Sequence, residues 1–112
     1  MIARPLGLIQ VPTPGAPVRV TTDESLRAIQ ILVKTVPGFT GKTYFGVAGM
    51  DKNSPTKTGV IRVLAEPSAA GGQDGEAIPP SLGHYGNALR VADYYVDADV
   101  VDEGILVTYI EA

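Results

Sequence analysis

Cysteine is absent from this 112-residue chain, and histidine occurs once, at His84. Disulfide staples, thiolate metal sites and cysteine nucleophiles are therefore excluded, and a single imidazole remains for any histidine-based chemistry. Long hydrophobic runs are missing as well. No stretch approaches the roughly 18 apolar residues that a membrane helix needs, and the segment from Met1 to Ile9 lacks the apolar h-region of a signal peptide. The expectation is a chain that neither spans a membrane nor leaves the cell by that route. Charged residues are sparse at 19%, and the net charge is −3. Phosphate binding needs clustered Lys and Arg, so no nucleic-acid partner is expected.

What is present fits one globular domain. The length leaves no room for two independent cores. The hydrophobic share of 45% is that of a folding chain. Thirteen glycines and nine prolines fall mostly between apolar runs, which is the punctuation of many short strands joined by turns. Charge is distributed unevenly. Residues 1–62 carry eight bases and three acids, whereas residues 63–112 carry nine acids and Arg90 alone. One reading lets a basic face of one copy meet an acidic face of the next; the other intermixes the two halves on a solvated surface.

Pro5, Pro12, Pro14 and Pro17 prevent a helix in residues 1–17 and disfavour a central strand. This segment reads as an extended Pro-rich N-terminal arm or edge strand, and residues 18–112 as the domain proper. Its apolar side chains Ile2, Leu6, Leu8, Ile9 and Val11 require it to lie against something, either its own domain or a neighbour's. Residues 21–36 set helix against strand: Thr21 to Glu24 resembles a capping box, but Ile29, Ile31 and Val33 alternate with Gln30 and Lys34. The β-branched content and the stop at Pro37-Gly38 favour strand. A hairpin is predicted to join residues 27–36 to 42–48. Val60 to Leu64 is apolar enough for a strand covered on both faces, and Glu66 to Pro80 reads as a surface loop. Strands near Leu89 to Val96 and Ile105 to Ile110 flank an acidic turn. Seven or eight short strands predict an all-β domain, a β-sandwich or jelly roll.

Motifs for chemistry are lacking. Any Ser-His-Asp arrangement would have to combine His84 with Ser54, Ser68 or Ser81, none at nucleophile-elbow spacing. Asp93, Asp97, Asp99, Asp102 and Glu103 supply the oxygen ligands Ca²⁺ prefers, but no EF-hand spacing, and a solvated hairpin loop is the simpler reading. Gly71 to Gly75 lacks the Lys-Ser/Thr of a P-loop. Tyr44, Tyr85, Tyr94, Tyr95 and Tyr109 would suit a sugar-stacking platform, yet tyrosine is equally at home on strands and at protein interfaces. The expectation is a protein that is not an enzyme, with no catalytic residue, metal or cofactor.

Three stretches resemble a known class. The first, Ile29 to Val47, is a strand ending near a proline, a glycine-containing turn at Phe39-Thr40-Gly41, and a strand closing in an aromatic residue and glycine. The others are Gly49-Met50-Asp51-Lys52 with Gly59 to Pro67, and Tyr95 to Glu111. Together they are similar to the small capsid-decorating, or cement, proteins of tailed bacteriophages. That resemblance implies a β-sandwich or jelly roll, assembled as a dimer or trimer. It implies a virion location on the outer capsid surface, where the protein would bind the major capsid protein and bridge its subunits. Within such a protein the arm residues Ile2, Arg4, Leu6, Leu8 and Ile9 are the partner-binding candidates, and removing residues 1–12 should leave a folded domain. A tail, fibre or head-completion role stays open, and less so a carbohydrate-binding module.

Overall fold

The computed structural model describes residues 2–64, 76–78 and 89–111, the middle segment by its backbone alone. About half of the described residues lie in strands and very few in helix, which makes this an all-β protein. Among the described residues the strands are β1 (Ala3–Gln10), β2 (Val18–Arg19), β3 (Arg27–Lys34), β4 (Thr43–Val47), β5 (Val60–Leu64), β6 (Glu76–Ile78), β7 (Leu89–Arg90), β8 (Tyr94–Ala98) and β9 (Gly104–Glu111). A single 3₁₀ turn, Val91–Asp93, separates β7 from β8. The strands form two antiparallel sheets. One has the order β1-β9-β3-β6, with β7 also paired to β3; the other has the order β2-β8-β4-β5.

The helix alternative for residues 21–36 loses to local side-chain bonding. Asp23 Oδ1 accepts the Ser25 backbone N–H at 2.9 Å and its hydroxyl at 2.6 Å, closing a turn where a helix would start. β3 then places Ile31 and Val33 in the core and turns Leu32 and Lys34 outward. The predicted hairpin between residues 27–36 and 42–48 does not form: β3 pairs with β9, β6 and β7, whereas β4 pairs with β5 and β8. The Pro37-Gly38 segment carries the chain from one sheet to the other. The run from Leu89 to Val96 divides in the same way, because the 3₁₀ turn switches it between sheets. The acidic segment after β8 is likewise a crossover, not a hairpin loop. Among the described residues β5 is an edge strand with Val63 exposed, so its apolar run is not covered on both faces there. Within the stretch read as a loop, Glu76–Ile78 pairs with β3 at Val33–Ile31; its remainder lies outside the described residues.

The inner faces of the two sheets share one core. Ile31, Val33, Ile105, Val107 and Tyr109 come from the larger sheet, and Phe45, Leu64, Tyr94, Val96 and Ala98 from the smaller; all belong to one buried cluster. Phe45 and Tyr94 stack with ring centroids 5.3 Å apart. Offset stacking of this kind contributes about 0.5–1.5 kcal/mol beyond area burial.

β1 closes one edge of the larger sheet against β9, in register from Ala3↔Ile110 to Gln10↔Gly104. The Ile2 carbonyl accepts the Glu111 N–H, so counting by twos puts Arg4 among the residues bonding inward and Pro5 among those whose backbone faces outward. Proline costs no ladder bond there. Between Pro5 and Gly7 the register shifts at a bulge, with Gly7 at φ +85°. That left-handed conformation suits a residue without a Cβ. Further along, Gly104 lies so close to β1 that a Cβ would overlap the Ile9 carbonyl oxygen.

Candidate functional site

The acidic residues near the end of the chain do not converge on a common point. Asp97 is buried, and its Oδ1 accepts the N–H of Gly15 at 3.0 Å and that of Ala98 at 2.7 Å. Glu103, also buried, accepts the N–H of Thr40 at 2.9 Å and that of Gly41 at 2.8 Å. Asp99 receives the Tyr44 hydroxyl at 3.1 Å and the Lys52 ammonium at 2.9 Å. Asp93 pairs with Arg90 at 3.6 Å. Only Asp102 projects its carboxylate without a partner among the described residues. The solvated-loop expectation therefore fails for Asp97 and Glu103, which hold the crossovers in place by charge-assisted hydrogen bonds. Among the described residues no three His, Asp or Glu side chains group as metal ligands.

The densest polar cluster is Tyr44, Lys52 and Asp99. Lys52 is buried, donates to the Ala98 carbonyl at 2.5 Å, and stands 5.6 Å from the Tyr44 ring centroid. Burial, then the neighbouring Asp99 carboxylate and its hydrogen bond, push the Tyr44 hydroxyl up to about 12. A tyrosine that abstracts a proton needs the opposite shift. The cluster instead pins the loop after β4 onto the start of the β8–β9 crossover. Ser54 receives the Thr58 N–H at 2.8 Å inside that exposed loop, while His84, Ser68 and Ser81 lie outside the described residues. The described tyrosines do not make a sugar platform. Tyr44, Tyr94 and Tyr109 are buried and Tyr95 is half-buried; Tyr85 lies outside the described residues.

The unusual surface is the outer face of the larger sheet. Strand alternation and the observed registers place Ala3, Pro5 and Leu8 of β1 there, beside Leu106, Thr108 and Ile110 of β9 and Gln30, Leu32 and Lys34 of β3. Leu8 lies opposite Leu106, and Leu32 opposite Thr108. An outward face of an antiparallel sheet is ordinarily polar; of these nine residues only Lys34 is charged. Leu8 is 38% exposed and Leu32 36%.

The five arm candidates divide accordingly. Leu8 belongs to this face, and Ile2, 53% exposed, precedes β1 with its carbonyl bonded to the Glu111 N–H. Arg4 is exposed but ion-paired with Glu111 at 2.5 Å. Leu6 and Ile9 turn inward and are half-buried against the core. Val11 is fully buried, and residues 1–12 are consequently not a removable arm. Sequence reasoning missed Leu32, Leu106 and Ile110. The available signal was the apolar run Ile105-Leu106-Val107, which breaks alternation on a strand with only one face in the core.

Compared with known proteins, the chain matches no family model, no curated protein sequence and no solved structure. Among the described residues no helix is long and apolar enough to cross a membrane.

Proposed function

We propose that this protein is a binding module of the phage capsid-decoration type: a jelly-roll sandwich that attaches to the outside of a viral shell and bridges its subunits. The strand pairing supports the fold part of the reading. β1 pairs with β9, β2 with β8, β3 with β6 and β7, and β4 with β5. This is the pattern of a long hairpin wound into two sheets.

The observation that carries the function is the nearly uncharged outer face of the larger sheet. Three strands spaced ~4.8 Å apart and about five residues of ~3.4 Å rise give it roughly 250 Å². That is well below the ~800 Å² per partner of a stable free-standing complex. A patch this small works where many contacts act together, as when copies of one subunit cover a lattice. The resemblance to cement proteins supplies the kind of lattice, with the major capsid protein as partner.

The test is the copy number of this chain relative to the major capsid protein in purified particles, by quantitative mass spectrometry. Hundreds of copies fit a shell-covering role. A dozen or fewer would move the protein to a tail or vertex, and absence from particles would sink the reading.

A further inference from the structure

Tyr109 belongs to the core cluster but keeps an unused polar end. It stands between Arg4 and Ile31 in the register of the larger sheet and is only 6% exposed, yet its hydroxyl meets no hydrogen-bond partner among the described residues. A buried tyrosine ordinarily finds one. The oxygen is not sealed in, because Thr43 holds the single enclosed and unsatisfied side-chain atom among the described residues. Tyr109 opens instead onto a cleft of about 310 Å³, lined also by Ser25, Leu26, Arg27 and Glu111. That volume suits a small molecule.

The cleft carries charge of both signs that does not close on itself. Arg27 Nη1 donates to the carbonyl of Glu24 at 2.7 Å and to that of Leu26 at 3.1 Å, which leaves the edge formed by Nε and Nη2 over. No ion pair joins Arg27 to a carboxylate among the described residues. Glu111 lies directly opposite Ala28, the neighbour of Arg27, but its Oε2 accepts Arg4 Nε at 2.5 Å and its Oε1 is left open. A plain anion entering here would face Glu111, and a plain cation would face Arg27. A molecule with both charges satisfies the two. Its carboxylate can take two parallel bonds from the free guanidinium edge and a third from the phenol, while half-buried Leu26 supplies an apolar wall.

We infer that this cleft binds a small zwitterion of the α-amino-acid class, with its carboxylate on Arg27 and the Tyr109 hydroxyl, its ammonium on Glu111 and an apolar side chain against Leu26. The inference does not depend on what the outer face of the larger sheet binds.

The experiment is a proton–nitrogen NMR titration of the full chain with L-leucine, set beside acetate, ethylammonium and glucose as probes of one charge or none. L-leucine is expected to move the amides of Arg27, Tyr109 and Glu111 along one saturating curve, and the other three probes to leave them nearly in place. Tyr109→Phe removes only the unpartnered hydroxyl, so thermal unfolding should be unchanged while affinity falls several-fold. Arg27→Gln should lower affinity about tenfold, the worth of bonds to a charged group. No saturable shift with L-leucine would overturn the proposal. So would saturation of the same amides as tightly by acetate, ethylammonium or glucose, or a Tyr109→Phe chain that binds L-leucine as the wild type does.

Discussion

The Glu103 carboxylate receives the backbone N–H of Gly41 at 2.8 Å across 62 residues of sequence. With the Thr40 N–H at 2.9 Å on the other oxygen, one side chain serves two donors of the β3–β4 crossover. The β3–β4 and β8–β9 crossovers are in this way tied to each other.

Glu103→Ala should remove both acceptors and leave the buried Gly41 N–H without a partner. An unsatisfied buried group costs about 1–3 kcal/mol, so urea unfolding should show a loss in that range or above it. Glu103→Gln keeps one carbonyl oxygen and should lose less. Equal losses in the two variants would place the cost in packing instead.

Thr43 presents the opposite case. Its hydroxyl is buried and meets no hydrogen-bond partner among the described residues. Thr43→Val exchanges that desolvated hydroxyl for a methyl of similar shape, and should raise stability by ~1 kcal/mol. A lower denaturation midpoint would show that the hydroxyl is satisfied in solution.

Along β1, Leu8 and Ile9 are adjacent but face opposite ways. Ile9→Ala removes a side chain packed on the core and should cost about 2 kcal/mol or more. Leu8→Asp and Leu106→Asp alter only the outer face. They should leave melting within a few degrees of wild type while lowering the occupancy of purified shells. Full occupancy with both changes would remove the sheet face from the binding surface.

Alkaline titration reads the Tyr44 cluster. Tyr44 is pushed up to about 12 from an ordinary value of 10. Above pH 10 the unfolded chain therefore releases its phenolic proton while the folded chain keeps it. The stability linked to Tyr44 is fully present below about pH 10 and is lost as pH climbs towards 12. Burial raises Tyr94 as well, so absorbance at 295 nm should show late-ionising tyrosine signal, part of which disappears in Tyr44→Phe.

Much of the β architecture was legible, because alternation at Ile29, Ile31 and Val33 and the Pro37-Gly38 stop are local signals. Partner choice was not. Pro37-Gly38 looks the same whether it reverses a strand beside itself or hands it to another sheet, and only long-range packing of Phe45 against Tyr94 distinguishes the two. The acids were misread for a related reason. Composition marks Asp97 and Glu103 as solvated, whereas the donors that allow their burial, at Gly15, Thr40 and Gly41, are backbone groups with no sequence signature. The division of charge between the halves has a simple outcome in the fold: Arg4 meets Glu111 and Lys52 meets Asp99, because early strands pair with late ones.

The pairing of Ala3 with Ile110 also governs how the molecule is made. An edge strand whose partner emerges about a hundred residues later must wait, unpaired, through most of synthesis. Closing so long a loop before any ladder bond rewards it is slow, and chains dominated by such contacts fold in milliseconds to seconds. During that interval β9 is missing from between β1 and β3, and their apolar residues face water. Pro5 and the bulge beside it then act as guards, since a strand interrupted in this way is a poor template for another unfinished chain.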